Sequence, residues 1–566
     1  MSFVDNAIRV DVHPGLPGPA GPPGPPVTFV TTLTGKGAVA DAAMIGGLTI
    51  VAGSAALVSA APAFAAGDVG KKVVLQGAGI AGAKLIGSIA AFVSATQVTL
   101  AGPAATSAAA AWAFVGTDCT AALQAALAAI GLKGGGTIVI DGDFLMTGSV
   151  AKDFTNQAGA VALRGYGANS TIHVGCAGSA TMIRLAHVPD LTIEGVHFVG
   201  LPSALDDAQH VIELDYCQGR IERCGFHGLG NSSGARATVI HALRSDIDLD
   251  RNRFNGCAYN GINDSSPVIH DFWAGARSRG NRFIDYGRFK GYEFNKFGAA
   301  GVLSTAWIFA GNQFGTGAGS GTSGVLGSIP HGIVRSIDDK FDEGARYGLV
   351  VFPTEGRVSR VHVDGLERNI GEFDDTRGLY LHRVDHAVIE RSQFGYTPVL
   401  RDAAYFTECT NVELRNLILT NAATRITAID VARLTISDTP GLSEASLANV
   451  GAFSRIEGGV MIVAPTAAAA YANGWASHAA PYALKVTRVD GMVSIEGLVV
   501  GGAATPGVVM FTLPAGFRPA TDQFVRAEHS AGASSQVKIA QNGEVSSVNG
   551  ADPAFAGFNV QFRAAS

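Results

Sequence analysis

The sequence predicts an all-β protein whose longest part is a coil of short strands, each turn of chain stacked on the last. Three observations carry this. First, the fragments LTIEGVHF, GRIERCGF, IDLDRNRF, ARSRGNRF, WIFAGNQF, RSIDDKF, VHVDGL and AVIERSQF end at Phe198, Phe226, Phe254, Phe283, Phe314, Phe341, Leu366 and Phe394. The gaps are 28, 28, 29, 31, 27, 25 and 28 residues, and a weaker copy, VELRNLIL, ends at Leu419 after another 25. A near-constant period with a large apolar residue reads as one coil per repeat, each ring resting on the one before. Second, Asn252, Asn281, Asn312, Asp339, Asp364 and Ser392 stand two residues before the apolar series. An amide side chain in a tight turn can bond the next one above it, forming a ladder. That gives Asp339 and Asp364 an architectural role and removes them from the catalytic candidates. Third, 16% of residues are charged, 47% are hydrophobic and 73 are Gly, a composition suited to stacked β structure with many turns.

The elements follow in chain order. Residues 1–14 form an arm. GLPGPAGPPGPP, residues 15–26, is four unbroken Gly-X-Y triplets. Three polyproline-II-like chains need Gly at every third place, because only Gly fits at their common axis; a Pro/Gly-rich linker is the alternative. Four triplets are too short to hold three chains alone, so a trimer must be held downstream. Residues 27–116 hold small apolar residues in strand-length runs and read as a small β head. Within it, the apolar stretch Ala42–Asp68 is read as short strands joined at turns. It starts forty residues into the chain and has weak positive flanks, against a signal peptide or membrane span.

Thr117–Val150 reads as a capped helix, a triple-Gly turn, and two strands. Asp118 or Thr117 caps the helix, and Ala122, Leu123, Ala126, Leu127 and Ile130 form its apolar stripe. This order resembles the entry segment of the pectate-lyase-like right-handed parallel β-helix proteins, which include many phage tailspikes. There the helix covers the first rung, whose apolar interior and strand edge would otherwise be open. The β-helix is expected within 117–450, its coils from about 137 to 445. About eleven rungs spaced roughly 4.8 Å apart give a rod on the order of 50 Å. A linker, APTAAAAYANGW, then leads to a β-sandwich-like tip domain in 451–566. Asp490-Gly491 and Asn542-Gly543 mark hairpins there, and FTLPAGFRPA resembles C-terminal domains of phage tail fibres.

The whole order resembles a trimeric phage tail fibre or tailspike. The resemblance implies a homotrimer, an N-terminus attached to a phage tail or baseplate protein, and a distal part that meets host surface polysaccharide. It implies a virion location, with assembly in the host cytoplasm; the lack of a signal peptide suits that. A net charge of −6 gives no basic footprint for nucleic acid, and no membrane insertion is expected. The scattered Cys119, Cys176, Cys217, Cys224, Cys257 and Cys409 show no CxxC pair, and read as small core residues. No cofactor is expected, and no metal is carried over from the family's calcium-dependent lyases.

Candidate site residues lie outside the regular coil positions. Glu194, Glu222 and Asp250 share one outward place on successive rungs, forming an acidic stripe or a face paired with Arg220, Arg223 and Arg251. The densest stretch lies between Phe254 and Phe314. It offers Tyr259, Trp273, Arg277, Tyr286, Arg288 and Tyr292 for glycan binding, since aromatic faces stack on sugars and guanidinium groups bond hydroxyls or acidic sugars. Asp264, Asp271 and Glu293 are its catalytic candidates. The alternative is that these aromatics pack between protomers and the charges pair among themselves. A second group, Glu355, Glu372, Asp374, Asp375 and Arg377, reads as a solvated loop. The expected function is adsorption to a host glycan. The runner-up is a depolymerase, hydrolase or lyase, which for hydrolysis needs two carboxyl groups across a sugar-sized groove. A secreted bacterial lyase is a third and weaker reading.

Overall fold

The computed structural model describes residues 29–564 apart from 202–209, 230–237, 258–265, 272–276, 285–289, 296–305, 316–322, 342–346, 370–376, 396–400, 438–446, 449–453, 464–470 and stretches of four residues or fewer. In some strands only the backbone is described. The arm and the collagen-like triplets lie outside the described residues. Residues up to 299 with 314–322 form one compact unit, and 300–313 with 323–566 a second.

In the first unit, six antiparallel strands between Ala43 and Gly116 close into a barrel. The apolar stretch beginning at Ala42 supplies two of them, Ala43–Ile50 and Ala56–Ser59, which pair at Leu48–Ser59 and Thr49–Val58. Leu48, Leu57, Val73, Leu75, Ile89 and Val98 fill the barrel. Val74 and Phe114 on its outside pack against Leu145 and Leu201 of the coil.

The coil begins beneath helix α1 (Thr120–Leu132), which buries Ala122, Leu123, Ala126, Leu127 and Ile130 as its stripe requires. The Asp118 carboxylate accepts the Thr120 amide at 3.1 Å and the Thr147 amide at 3.2 Å, fastening the helix start to the first rung. Val30–Thr32 pairs in parallel with Gly136–Ile140 and covers that strand's edge. Each rung then supplies one strand to each of three parallel sheets. In the rung beginning at Leu191 these are Leu191–Glu194 in the first sheet, His197–Val199 in the second and His210–Asp215 in the third. Interior positions hold buried Ile, Leu and Val.

The Phe series is a column in the second sheet. Phe198, Phe226, Phe254 and Phe283 are register partners. Their ring centroids are 5.2, 4.8 and 4.7 Å apart, and Phe314 lies 4.7 Å from Phe283. Each is fully buried, worth about 1.5–3 kcal/mol per ring in apolar transfer.

The ladder is present beside it. The Asn252 amide N–H and Nδ2 both donate to Asn281 Oδ1, at 2.8 and 3.0 Å, and Nδ2 also donates to the Ile221 carbonyl at 2.7 Å. Asn252 Oδ1 accepts the Cys224 amide at 2.9 Å. The residue before each ladder position is left-handed: Gly195, Arg223, Arg251 and Gly280 have φ of 66°, 54°, 54° and 59°. Glycine is unstrained there, whereas a side chain carries a cost.

The second unit likewise has three parallel sheets, built from strands such as Val358–Asp364, Gln393–Gly395 and Arg401–Thr407. Asn312 donates to Asp339 Oδ1 from its amide N–H at 2.8 Å and from Nδ2 at 2.9 Å. Two sequence expectations are corrected here. Asp364 is outside the ladder; it ends a first-sheet strand, and Arg391 holds both its oxygens. Leu366 is outside the Phe column. Its amide donates to Ser392 Oγ at 3.2 Å, so Leu366 takes the ladder place. Arg368 takes the column's register place between Phe341 and Phe394.

The last part of the chain forms an antiparallel nine-stranded sheet folded around Trp475, Leu484, Ile495, Phe511, Phe517 and Phe558. Lys485–Val489 pairs antiparallel with Met492–Val500, the expected Asp490-Gly491 turn lying outside the described residues, and Gly543, at φ 88°, turns the chain into Glu544–Ser547. All six cysteines are buried and free.

Candidate functional site

Tyr259, Asp264, Trp273, Tyr286 and Arg288 lie outside the described residues. For Asp271, Tyr292 and Glu293 the backbone alone is described. Asp271 ends the third-sheet strand Ser266–Asp271, and Tyr292 and Glu293 lie on its neighbour Lys290–Asn295, opposite Val268 and Ile269. Asp271 and Glu293 are thus on adjacent strands, two rows apart. Arg277 opens a strand of a different sheet, the first, and the structure separates it from them.

On the outer face of the first sheet, Glu194, Glu222 and Asp250 are register partners, as their spacing predicts. Each has a guanidinium beside it. Arg223 donates to Glu194, with Arg164 Nε 3.5 Å away. Arg220 Nε is 3.3 Å from Glu222, and Arg251 is 2.9 Å from Asp250. These arginines are about half exposed, so each pair is worth no more than about 1 kcal/mol. Farther along the same strand, the Arg277 amide donates to Asp248 at 2.9 Å. Burial pushes the Asp248 carboxyl up and, with the Asp248 charge alongside, lifts Asp246 to about 6. Asp246 keeps an exposed edge, where water opposes that shift.

A denser arrangement stands on the third sheet of the second unit. Tyr380 and Tyr405 are register partners with rings 5.2 Å apart, and Arg377 is the partner of Asp402. Inward Leu379 and Leu381 alternate with Tyr380 and His382, so the strand's outer side carries the rings. Phe352, 37% exposed, stacks on His382 at 4.4 Å and meets the Tyr380 edge at 5.8 Å. The Arg377 guanidinium lies 3.7 Å over Tyr405 and 5.0 Å over Tyr380. Its Nε is 3.9 Å from Asp402, whose other oxygen accepts the Thr427 hydroxyl at 2.7 Å. Burial lowers the His382 pKa, which favours the uncharged ring against Phe352.

Three aromatic rings and the Arg377 guanidinium gather as a platform on this outer side, the kind of surface on which a sugar ring can rest; Asp402 is buried, and Arg377 lies over Tyr405. Sequence reasoning passed over this platform and put Arg377 in a solvated loop, whereas Arg377 opens the strand Arg377–His382. The available signal was the pair Tyr380 and Tyr405, 25 residues apart in RGLYLH and RDAAYFT. Among the described residues the platform holds one carboxylate, Asp402.

No protein-family model matches the chain, and no curated protein matches it. Among solved structures, it is similar to DFA-IIIase from Arthrobacter chlorophenolicus in complex with GF2, at TM-score 0.43 and 13% identity over 60% of this chain and 94% of that one. It is also similar to a double mutant of the tailspike of E. coli bacteriophage HK620, at 0.34 and 14% over 79% and 89%. A third is the catalytic unit of a GH87 α-1,3-glucanase from Streptomyces thermodiastaticus, at 0.29 and 10% over 74% and 87%.

Proposed function

We propose that the chain is a phage tail fibre or tailspike protein that binds host-surface polysaccharide without cutting it. The observation that carries the binding reading is the Phe352–Tyr380–Tyr405 platform with Arg377 and Asp402. It gathers aromatic rings and a guanidinium on one outer surface. The Gly-X-Y triplets of residues 15–26 favour a homotrimer, and on the same reading the N-terminus meets a tail or baseplate protein of the virion.

The depolymerase reading rests on a different observation, the register of Asp271 and Glu293. Adjacent strands and a two-row offset put their Cα atoms roughly 8 Å apart, a backbone spacing compatible with a carboxylate pair about 6.5–9.5 Å apart, as in an inverting hydrolase. Asp264 belongs to that proposal as a further catalytic candidate, and Tyr259, Trp273, Tyr286, Arg288 and Tyr292 as its glycan-binding residues; Arg277, on the first sheet, stands apart from it.

The test is incubation of the purified chain with capsule and lipopolysaccharide from candidate hosts, followed by sizing of the glycan. Full-length glycan that co-sediments with the protein supports binding. Shortened glycan, with loss of cutting in Asp271→Asn or Glu293→Gln, decides for the depolymerase.

A further inference from the structure

Two histidines and a glutamate meet on the third sheet of the first unit. His210 opens the strand His210–Asp215, Glu213 lies three residues on, and His241 is the register partner of Glu213 on the next rung. One donor atom from each lies within 4.8 Å of the other two. The two imidazole rings are 4.6 Å apart and tilted by 37°. Both Nδ1 atoms are shielded from solvent. Glu213 is oriented from the preceding rung: the Thr181 hydroxyl donates to Oε2 at 3.2 Å, and Arg184 Nε is 3.0 Å from Oε1. Each carboxylate oxygen has more than one acceptor site, so these contacts fix the group and leave it able to ligate.

We propose that His210, Glu213 and His241 bind one divalent transition-metal ion of the zinc class, fastening two rungs together. Two imidazole nitrogens with one carboxylate oxygen are a donor set suited to Zn²⁺, Co²⁺ or Ni²⁺. Bonds of about 2.1 Å to a tetrahedral ion place donors roughly 3.4 Å apart. The three donors reach that spacing by closing at most about 1.4 Å (4.8 less 3.4), within the range of side-chain rotation. Thr181 and Arg184 are its outer-shell partners, holding the carboxylate as such partners do in metal sites. In a second group, His362, Asp364 and Glu390, two of the three residues are bonded to each other. Arg391 holds both Asp364 oxygens, and His362 Nε2 is 2.8 Å from Glu390.

The experiment uses the full chain, stripped with EDTA and dialysed against Zn²⁺, with bound metal measured by mass spectrometry. One ion per chain is expected. His241→Asn should weaken retention by more than the ~10–100-fold that loss of an outer-shell partner costs, while His362→Asn leaves it unchanged. If His241→Asn fails to fold, Glu213→Gln serves in its place, with the same expectation. Co²⁺ added to the unmodified chain should give the intense visible bands of a four- or five-coordinate site. Absence of retained Zn²⁺, retention unaffected by these substitutions, or a Co²⁺ spectrum like that of the free aqueous ion would each overturn the proposal.

Discussion

Asp339 is a buried carboxyl in the ladder, bonded to the amide side chain of Asn312, and it should make the coil sensitive to pH. It is 1% exposed, and burial raises it from an ordinary 3.8 to about 7, against hydrogen bonds from Ser336 and Asn312 that favour its charge. Below pH 4 it is protonated folded and unfolded. Between pH 4 and 7 the folded chain keeps a proton that the unfolded chain gives up, so stability falls as pH rises and the loss is complete above pH 7. From pH 5 to 8 the fall is about 3 kcal/mol, since each pH unit below the folded pKa is worth roughly 1.4 kcal/mol. Asp339→Asn should abolish it. The geometry for the amide already exists at Asn281, whose Nδ2 donates to Ser278 Oγ at 3.0 Å across the same three-residue separation as Ser336 and Asp339. The assay is urea unfolding of both proteins by circular dichroism at pH 5 and pH 8, in which other titrating groups cancel. The variant should gain about 2–3 kcal/mol on the parent between the two pH values. A constant difference, or a variant less stable at pH 8, would refute the reasoning.

Phe254→Ala leaves a cavity between rings 4.8 and 4.7 Å away and should cost about 3–5 kcal/mol, read as a lowered unfolding midpoint; a loss under about 1 kcal/mol would deny the column its role. Asn281→Ala removes the acceptor of the buried Asn252 amide and should cost about 1–3 kcal/mol, with faster hydrogen exchange at Asn252. Tyr405→Ala removes the ring beneath Arg377 and should weaken glycan binding by about tenfold, the equivalent of 1.4 kcal/mol, in equilibrium binding to purified host glycan.

The coil was legible because each rung repeats the same demands: an apolar ring in the second sheet, an amide at the turn, and alternation between. The acidic stripe was legible for the same reason, since the period that aligns Phe198, Phe226 and Phe254 also aligns Glu194, Glu222 and Asp250. The reading slipped at VHVDGL. There an apolar Leu366 occupies the amide's place and Arg368 the column's, so the last apolar residue no longer marks the column. Phe352, Tyr380 and Tyr405 were harder to see. Tyr380 and Tyr405 belong to third-sheet strands and Phe352 follows one directly; these strands carry no repeated marker residue and follow connections of varying length. His210 and His241 are 31 residues apart, and only the stacking of rungs makes them neighbours.

The most direct measurement of the central claim is co-sedimentation of host polysaccharide with the parent chain, Tyr405→Ala and Trp273→Ala, with glycan length determined in the same samples. The account predicts full-length glycan throughout, held by the parent and by Trp273→Ala and largely released by Tyr405→Ala. Glycan held equally by Tyr405→Ala, or shortened by the parent, would contradict it.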